Sequence, residues 1–121
     1  MDNIRILVVD DSSFMRNLIK GTLVKEGYEI VGEAQDGAEA VELYKKFKPD
    51  VVTMDITMEK MNGIEAVKKI MEFDPDAKII MVSALGQEDF VKEAIKNGAA
   101  DFIVKPFDAN RLKEAVGNVL T

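Results

Sequence analysis

The chain has 121 residues, 47% of them hydrophobic and 31% charged, a balance that fits one globular domain with one developed core. Its formal net charge of −6 argues against a phosphate-backbone binder, so no nucleic-acid partner is expected. With no cysteine and no histidine, disulfides, thiolate sites, zinc sites and histidine-dependent triads are excluded, and carboxylates, hydroxyls and amines are left to carry any chemistry.

The first element in chain order is a short apolar run rich in branched residues, Ile4 to Val9, which reads as a strand buried on both faces. Phe14, Leu18, Ile19 and Leu23 then recur at helical spacing and predict a helix with that face buried, stopped at Gly27. Tyr28 to Ala34 is a weaker strand, expected near a sheet edge. Asp36 with Glu39 has the pattern of a capping box, Val41, Tyr44 and Phe47 mark the second helix, and Pro49 prevents its continuation. Val51 to Met54 is the third strand. Asn62 with Glu65 forms a second capping pattern, before a helix marked by Ile64, Val67 and Met71. Ile79 to Val82 is the fourth strand, followed by a stripe of Phe90, Val91, Ala94 and Ile95 and a stop at Gly98. Phe102 to Val104 is the fifth strand, again read as buried on both faces. Asp108 caps a last helix striped by Leu112, Ala115, Val116, Val119 and Leu120. Met54, Met71 and Met81 read as core filler, and Met58 and Met61 as loop anchors or partner contacts.

Strand and helix therefore alternate through five units, which predicts an α/β fold with a parallel sheet, helices on both faces and right-handed crossovers. Among doubly wound sheets the flavodoxin-like order 2-1-3-4-5 suits five units. That order is taken from known sheets of this class and not from periodicity. Residues 1–121 are expected to form a single domain. No apolar run approaches the ~20 residues needed to cross a bilayer, and no secretory signal pattern opens the chain, so a cytoplasmic protein without a membrane partner is expected.

Ligands of such sheets bind beyond the carboxyl ends of the strands, near the point where strand order reverses. Asp10 and Asp11 follow the first strand, Asp55 the third, Ser83 the fourth and Lys105 the fifth. In the expected order the three acids converge. Like charges ~4 Å apart cost about 4 kcal/mol at an effective dielectric near 20, so the cluster needs a cation or large pKa shifts. Hard oxygen ligands favour Mg²⁺, with Mn²⁺ as substitute, and Mg²⁺ retains waters that a phosphate oxygen replaces. An acceptor carboxylate, a metal and the Lys105 ammonium suffice for phosphoryl transfer, with the Ser83 hydroxyl as a further donor.

The segments VVDDSSFMR (Val8 to Arg16), VTMDITM (Val52 to Met58), MNGIEAV (Met61 to Val67), IIMVSALG (Ile79 to Gly86) and DFIVKPF (Asp101 to Phe107) together resemble the response-regulator receiver domains, specifically the stand-alone CheY-like chemotaxis type, over the whole chain. The resemblance implies a two-component signalling switch and not an enzyme beyond self-phosphorylation from small donors and autodephosphorylation. It implies Asp10 and Asp11 as the metal pair, Asp55 as phospho-acceptor, and Thr57 as donor of a backbone carbonyl to the metal. Ser83 and Lys105 would contact the phosphoryl oxygens, Ser83 and Phe102 would form the switch, and the Lys105–Pro106 peptide would be cis. Implied partners are a CheA-like histidine kinase as phosphodonor and a flagellar motor or motor-adaptor protein read by helix four, strand five and helix five, with the protein monomeric and without an attached output domain. Two departures stand out. Glu59 occupies a loop position where the family often has Pro, so a less rigid loop is expected, and Phe102 stands where many relatives have Tyr.

Other functions compete with this reading. Asp55-Ile56-Thr57 weakly resembles Mg²⁺-dependent phosphatases and phosphotransferases with an aspartyl nucleophile, although no segment is long enough to form their substrate-enclosing cap. A phosphorelay intermediate would need the same site. A flavin phosphate would be repelled by Asp10 and Asp11.

Overall fold

The computed structural model describes residues 3–121. Five strands alternate with five helices: β1 (Arg5–Val9), α1 (Ser13–Lys25), β2 (Glu29–Ala34), α2 (Gly37–Phe47), β3 (Val51–Asp55), α3 (Gly63–Phe73), β4 (Ile79–Ser83), α4 (Glu88–Lys96), β5 (Asp101–Val104) and α5 (Ala109–Val119). The strands pair in parallel, as the alternation of elements predicts, and in the order β2-β1-β3-β4-β5, the order expected from known sheets of this class. Among the described residues no helix is long and apolar enough to cross a membrane.

Side-chain alternation divides the core between the two faces of the sheet. Leu7, Val9, Val52, Met54, Ile79 and Met81 pack with residues of α2, α3 and α4, among them Tyr44, Val67, Ile70 and Val91. Ile6, Val8, Val51, Ile80, Val82 and Ile103 pack on the other face against Ile19 and Leu23 of α1 and Leu112, Ala115 and Val116 of α5. The helix starts are fixed by local chemistry. The side chains of Asp36, Asn62 and Asp108 accept from the backbone N–H of Glu39, Glu65 and Arg111, each satisfying a donor that the helix cannot satisfy itself. Ser12 does the same for Met15 in α1. Glu39 returns its side chain to the N–H of Gln35, one residue before the position a strict capping box uses. Gly27 and Gly98 take the left-handed conformation just past α1 and α4, as expected.

The buried stripes are narrower than the sequence pattern predicts. Phe14 is 75% exposed and Leu18 is also exposed, whereas Met15, Ile19 and Leu23 form the line that meets the sheet. Each residue turns the helix by about 100°, so Phe14 and Leu18, one position before that line, point off its flank. In α4 the buried pair is Val91 and Ala94, and Phe90 and Ile95 flank it in solvent. β5 is an edge strand, and its Phe102 faces outward, contrary to a strand buried on both faces. Met58 is buried and Met61 packs against the core, so both anchor the loop after β3.

One close approach positions the site. Gly63 opens α3 with its N–H bonded to the Ile56 carbonyl, and a Cβ there would lie 2.2 Å from the carbonyl oxygen of Asp55. Gly63→Ala is expected to push α3 from the end of β3 and to lower stability by about 1–3 kcal/mol. Gly21→Ala, mid-helix with nothing within 4 Å of the new methyl, should instead stabilise by roughly 0.5–1 kcal/mol. Urea unfolding of the two variants beside the parent chain checks the opposite signs.

Candidate functional site

β1 and β3 pair with Val9 opposite Met54, so the residues that follow, Asp10 and Asp55, stand side by side at the carboxyl edge of the sheet. Asp10 is fully buried, Asp55 nearly so and Asp11 exposed, and one carboxylate oxygen from each lies within 4.8 Å of the others. Asp55 and Ser83 are the last residues of their strands and not loop residues, so ladder pairing holds their backbones: Asp55 lies opposite Val82, and Ser83 opposite Val104.

Asp10 is held tightly. Its Oδ1 accepts from the Ser12 N–H at 2.9 Å, and its carbonyl accepts from Arg16 Nη1 at 2.7 Å. Lys105 comes in from β5, its N–H bonded to the Ser83 carbonyl at 2.6 Å, just before a cis peptide to Pro106. Its Nζ lies 3.1 Å from Asp10 Oδ2 and 3.5 Å from Asp55 Oδ1. Three carboxylates against one ammonium leave two negative charges uncompensated. The consequence falls on Asp55, whose carboxyl is pushed up from 3.8 to about 6, first by burial and then by the charge of Asp10, with Lys105 opposing. Burial works against the charge on Lys105, yet Asp55 and the hydrogen bond to Asp10 outweigh it and raise its pKa. An all-oxygen cluster with residual negative charge suits a hard divalent cation such as Mg²⁺ or Mn²⁺, which fits the acids present.

The remaining predicted residues lie around this centre. The Ser83 side chain is buried, and its hydroxyl donates to the Ile103 carbonyl at 3.4 Å, toward β5 and not toward Asp55. Alternation explains this: Ser83 follows Ile79 and Met81 on the α4 side, whereas Asp10, Asp55 and Lys105 continue the rows that face α1 and α5. Thr57 is exposed, and its hydroxyl accepts from Gln87 Nε2 at 2.7 Å. Phe102, 39% exposed, lines an apolar groove of about 450 Å³ with Leu85, Val91, Ile95 and Val104, and the groove reaches Ser83. In the loop after β3, Lys60 has a left-handed backbone with φ 65°. Sequence reasoning did not find the roles of Ser12, Arg16, Gly63 and Gln87. The Asn62-Gly63 pair was the one available signal, since a glycine directly after a cap marks a close backbone approach.

Residues 6–117 match the response regulator receiver domain family. The chain is 60% identical over 115 residues to a chemotaxis protein CheY of Thermotoga maritima, covering 95% of this chain and 96% of that one. It is 58% identical to a chemotaxis protein CheY of Bacillus subtilis, covering 96% and 97%. Among solved structures, it superimposes with a TM-score of 0.93 and 44% identity on a chain of the CheX–CheY–BeF₃–Mg²⁺ complex from Borrelia burgdorferi, covering 98% of this chain and 90% of that one.

The raised Asp55 pKa has a thermodynamic consequence. The folded state binds this proton more tightly than the unfolded state, so stability falls as pH rises from about 4 to about 6, and the full penalty is present above that window. The displacement corresponds to roughly 3 kcal/mol, reduced to about 1–2 kcal/mol by solvent screening at the open rim. With metal chelated, Asp55→Asn should stabilise the protein by that amount at pH 8 and by much less at pH 4.5. An equal gain at both pH values in urea titrations contradicts this electrostatic account.

Proposed function

Because the chain belongs to the response regulator receiver domain family, we propose that it is the chemotaxis response regulator of a two-component system and that it takes a phosphoryl group on Asp55. The observation that carries the assignment of the acceptor is the convergence of Asp10, Asp11 and Asp55 within 4.8 Å, with Lys105 between the two buried acids.

In this reading Asp10, Asp11, Asp55 and the Thr57 carbonyl hold Mg²⁺, with Mn²⁺ as substitute. The bound ion supplies charge neutralisation for the acceptor and for the incoming phosphoryl oxygens. An Asp55 carboxylate oxygen attacks the phosphorus of a phosphohistidine on a CheA-like histidine kinase. The O–P bond forms as the P–N bond breaks, and the imidazole leaves with the electron pair and takes up a proton. The chain's own part is mostly positioning and electrostatics. Ladder pairing fixes Asp55, Asp10 orients Lys105, and the Lys105 ammonium meets the charge that builds on the transferred group.

The phosphorylated state would be read at α4, β5 and α5. The apolar groove there, lined by Phe102 and Ser83, suits a flagellar motor or motor-adaptor segment. Ser83 and Phe102 act as the switch pair, because Ser83 ends β4 at the carboxyl edge of the sheet and lines the same groove as Phe102. Residues 1–121 act as one monomeric cytoplasmic domain. The Mg²⁺-dependent phosphatase reading is not favoured, because the whole-length relatives are chemotaxis receivers.

Incubation with acetyl phosphate and Mg²⁺ tests the assignment by intact-protein mass. One phosphoryl adduct is expected on the parent chain and none on Asp55→Asn. Asp10→Ala should lose both metal affinity and phosphorylation, and Lys105→Ala should be phosphorylated roughly 100-fold more slowly. Undiminished labelling of Asp55→Asn would place the acceptor elsewhere.

A further inference from the structure

Gln87 occupies the N-cap position of α4 but does not cap it. Its Oε1 instead accepts from the N–H of Ala84 at 2.6 Å, and its Nε2 donates to Thr57 Oγ1 at 2.7 Å. One neutral carboxamide thus ties the loop after β4 to the loop after β3, directly across the end of the strand that carries Asp55.

The Ala84 N–H is available to Gln87 because the β3–β4 ladder stops one step early. In a parallel pair, successive residues direct their N–H and C=O alternately to the two neighbouring strands. The Val82 carbonyl accepts from the Ile56 N–H on the β3 side, and the Ser83 carbonyl accepts from Lys105 on the β5 side. The Ala84 N–H therefore faces β3 again, where the regular partner would be the Ile56 carbonyl. That carbonyl is taken by the N–H of Gly63 at 2.8 Å. The donor left over stands one ladder step beyond the Asp55–Val82 pair.

We infer that Gln87 is an internal clamp that holds the Ala84 donor and the Thr57 loop in the unphosphorylated state, and that a phosphoryl group on Asp55 displaces it. The inference rests on Asp55 being the acceptor. A phosphoryl group carries a charge near −2, and hydrogen bonds to an ionised acceptor are about twice as strong as those to a neutral one. The Ala84 N–H consequently exchanges the Gln87 carbonyl oxygen for a phosphoryl oxygen. Gln87 then loses its hold on both loops, and the start of α4, which has no cap of its own, is freed beside the groove. Gln87 is a positioning residue in this scheme: it biases the site toward the unphosphorylated state and couples the chemistry to α4.

Beryllofluoride at saturating Mg²⁺, a stable mimic of the acyl phosphate, serves as the probe. Gln87→Ala removes the competitor and should tighten beryllofluoride binding about fivefold by calorimetry. Gln87→Glu keeps an acceptor on the Ala84 N–H and strengthens that hold, turns the Thr57 contact round so that the Thr57 hydroxyl must donate, and adds like charge, so it should weaken binding by about fivefold or more. In the parent chain the Gln87 side-chain amide pair in ¹H–¹⁵N spectra should move to the free position on saturation. A merely structural brace predicts the reverse for Gln87→Ala, namely looser binding. Unchanged or weaker binding by that variant, or a Gln87 amide pair that does not move, overturns the clamp while leaving the acceptor assignment intact. A parent chain that binds no beryllofluoride overturns the acceptor assignment, and the clamp with it.

Discussion

Two carboxylates buried side by side, with a third at the rim, are the constraint on which the rest of the structure depends. Asp10 and Asp55 cannot move apart without breaking the pairing of β1 with β3, because each directly continues or ends a strand in register. Water cannot fully screen them, since both are buried. Lys105 offsets part of the repulsion, and the Ser12 and Arg16 bonds fix the Asp10 backbone and carboxylate in place. What remains is a site with uncompensated negative charge, a state that folding alone would not select.

The structure tolerates this unfavourable centre because nearly every other local choice agrees with the fold. Side chains cap α1, α2, α3 and α5, and glycines end α1 and α4 in the conformation they alone adopt freely. Tyr44 links α2 to the end of α3 through a bond to Asp74 at 2.8 Å, within the same core that covers one face of the sheet. Gly63 and Gly37 let the backbone at either side of the β3–α3 loop come closer than any side chain permits. A domain is stable by only about 5–15 kcal/mol, so a strained or charged centre persists only where its surroundings are consistent.

Much of this was legible in the sequence, for identifiable reasons. Continuous branched runs reveal doubly buried strands, helix caps use a small set of side chains at fixed offsets, and the strand ends of a parallel sheet share one rim. Asp10, Asp55 and Lys105 could therefore be gathered before any coordinates. The errors have a common cause as well. Phe14, Leu18, Phe90 and Ile95 are apolar and at helical spacing, but periodicity cannot say which of two adjacent stripes meets the sheet. The run from Phe102 to Val104 looked buried on both faces because an edge strand and a central one share a composition. The Gln87 bridge was invisible because it joins two loops through a single side chain, its ends 30 positions apart.

Strand parity gives the site its direction. Asp10, Asp55 and Lys105 belong to the rows that face α1 and α5, while Ser83 belongs to the row that faces α3 and α4. In the proposed reading a charge change at Asp55 therefore arises on one side of the sheet, and the apolar groove lies on the other. Only groups at the carboxyl edge reach both. Ser83 is one, through its hydroxyl bond to β5 and its place in the lining of the groove. Ala84 is another, through a backbone donor that faces β3 while its residue lines the same groove. Because these two are consecutive, in the proposed reading a rearrangement that satisfies a phosphoryl group on Asp55 runs through the β4–α4 turn, which lies outside the core packed on both faces of the sheet.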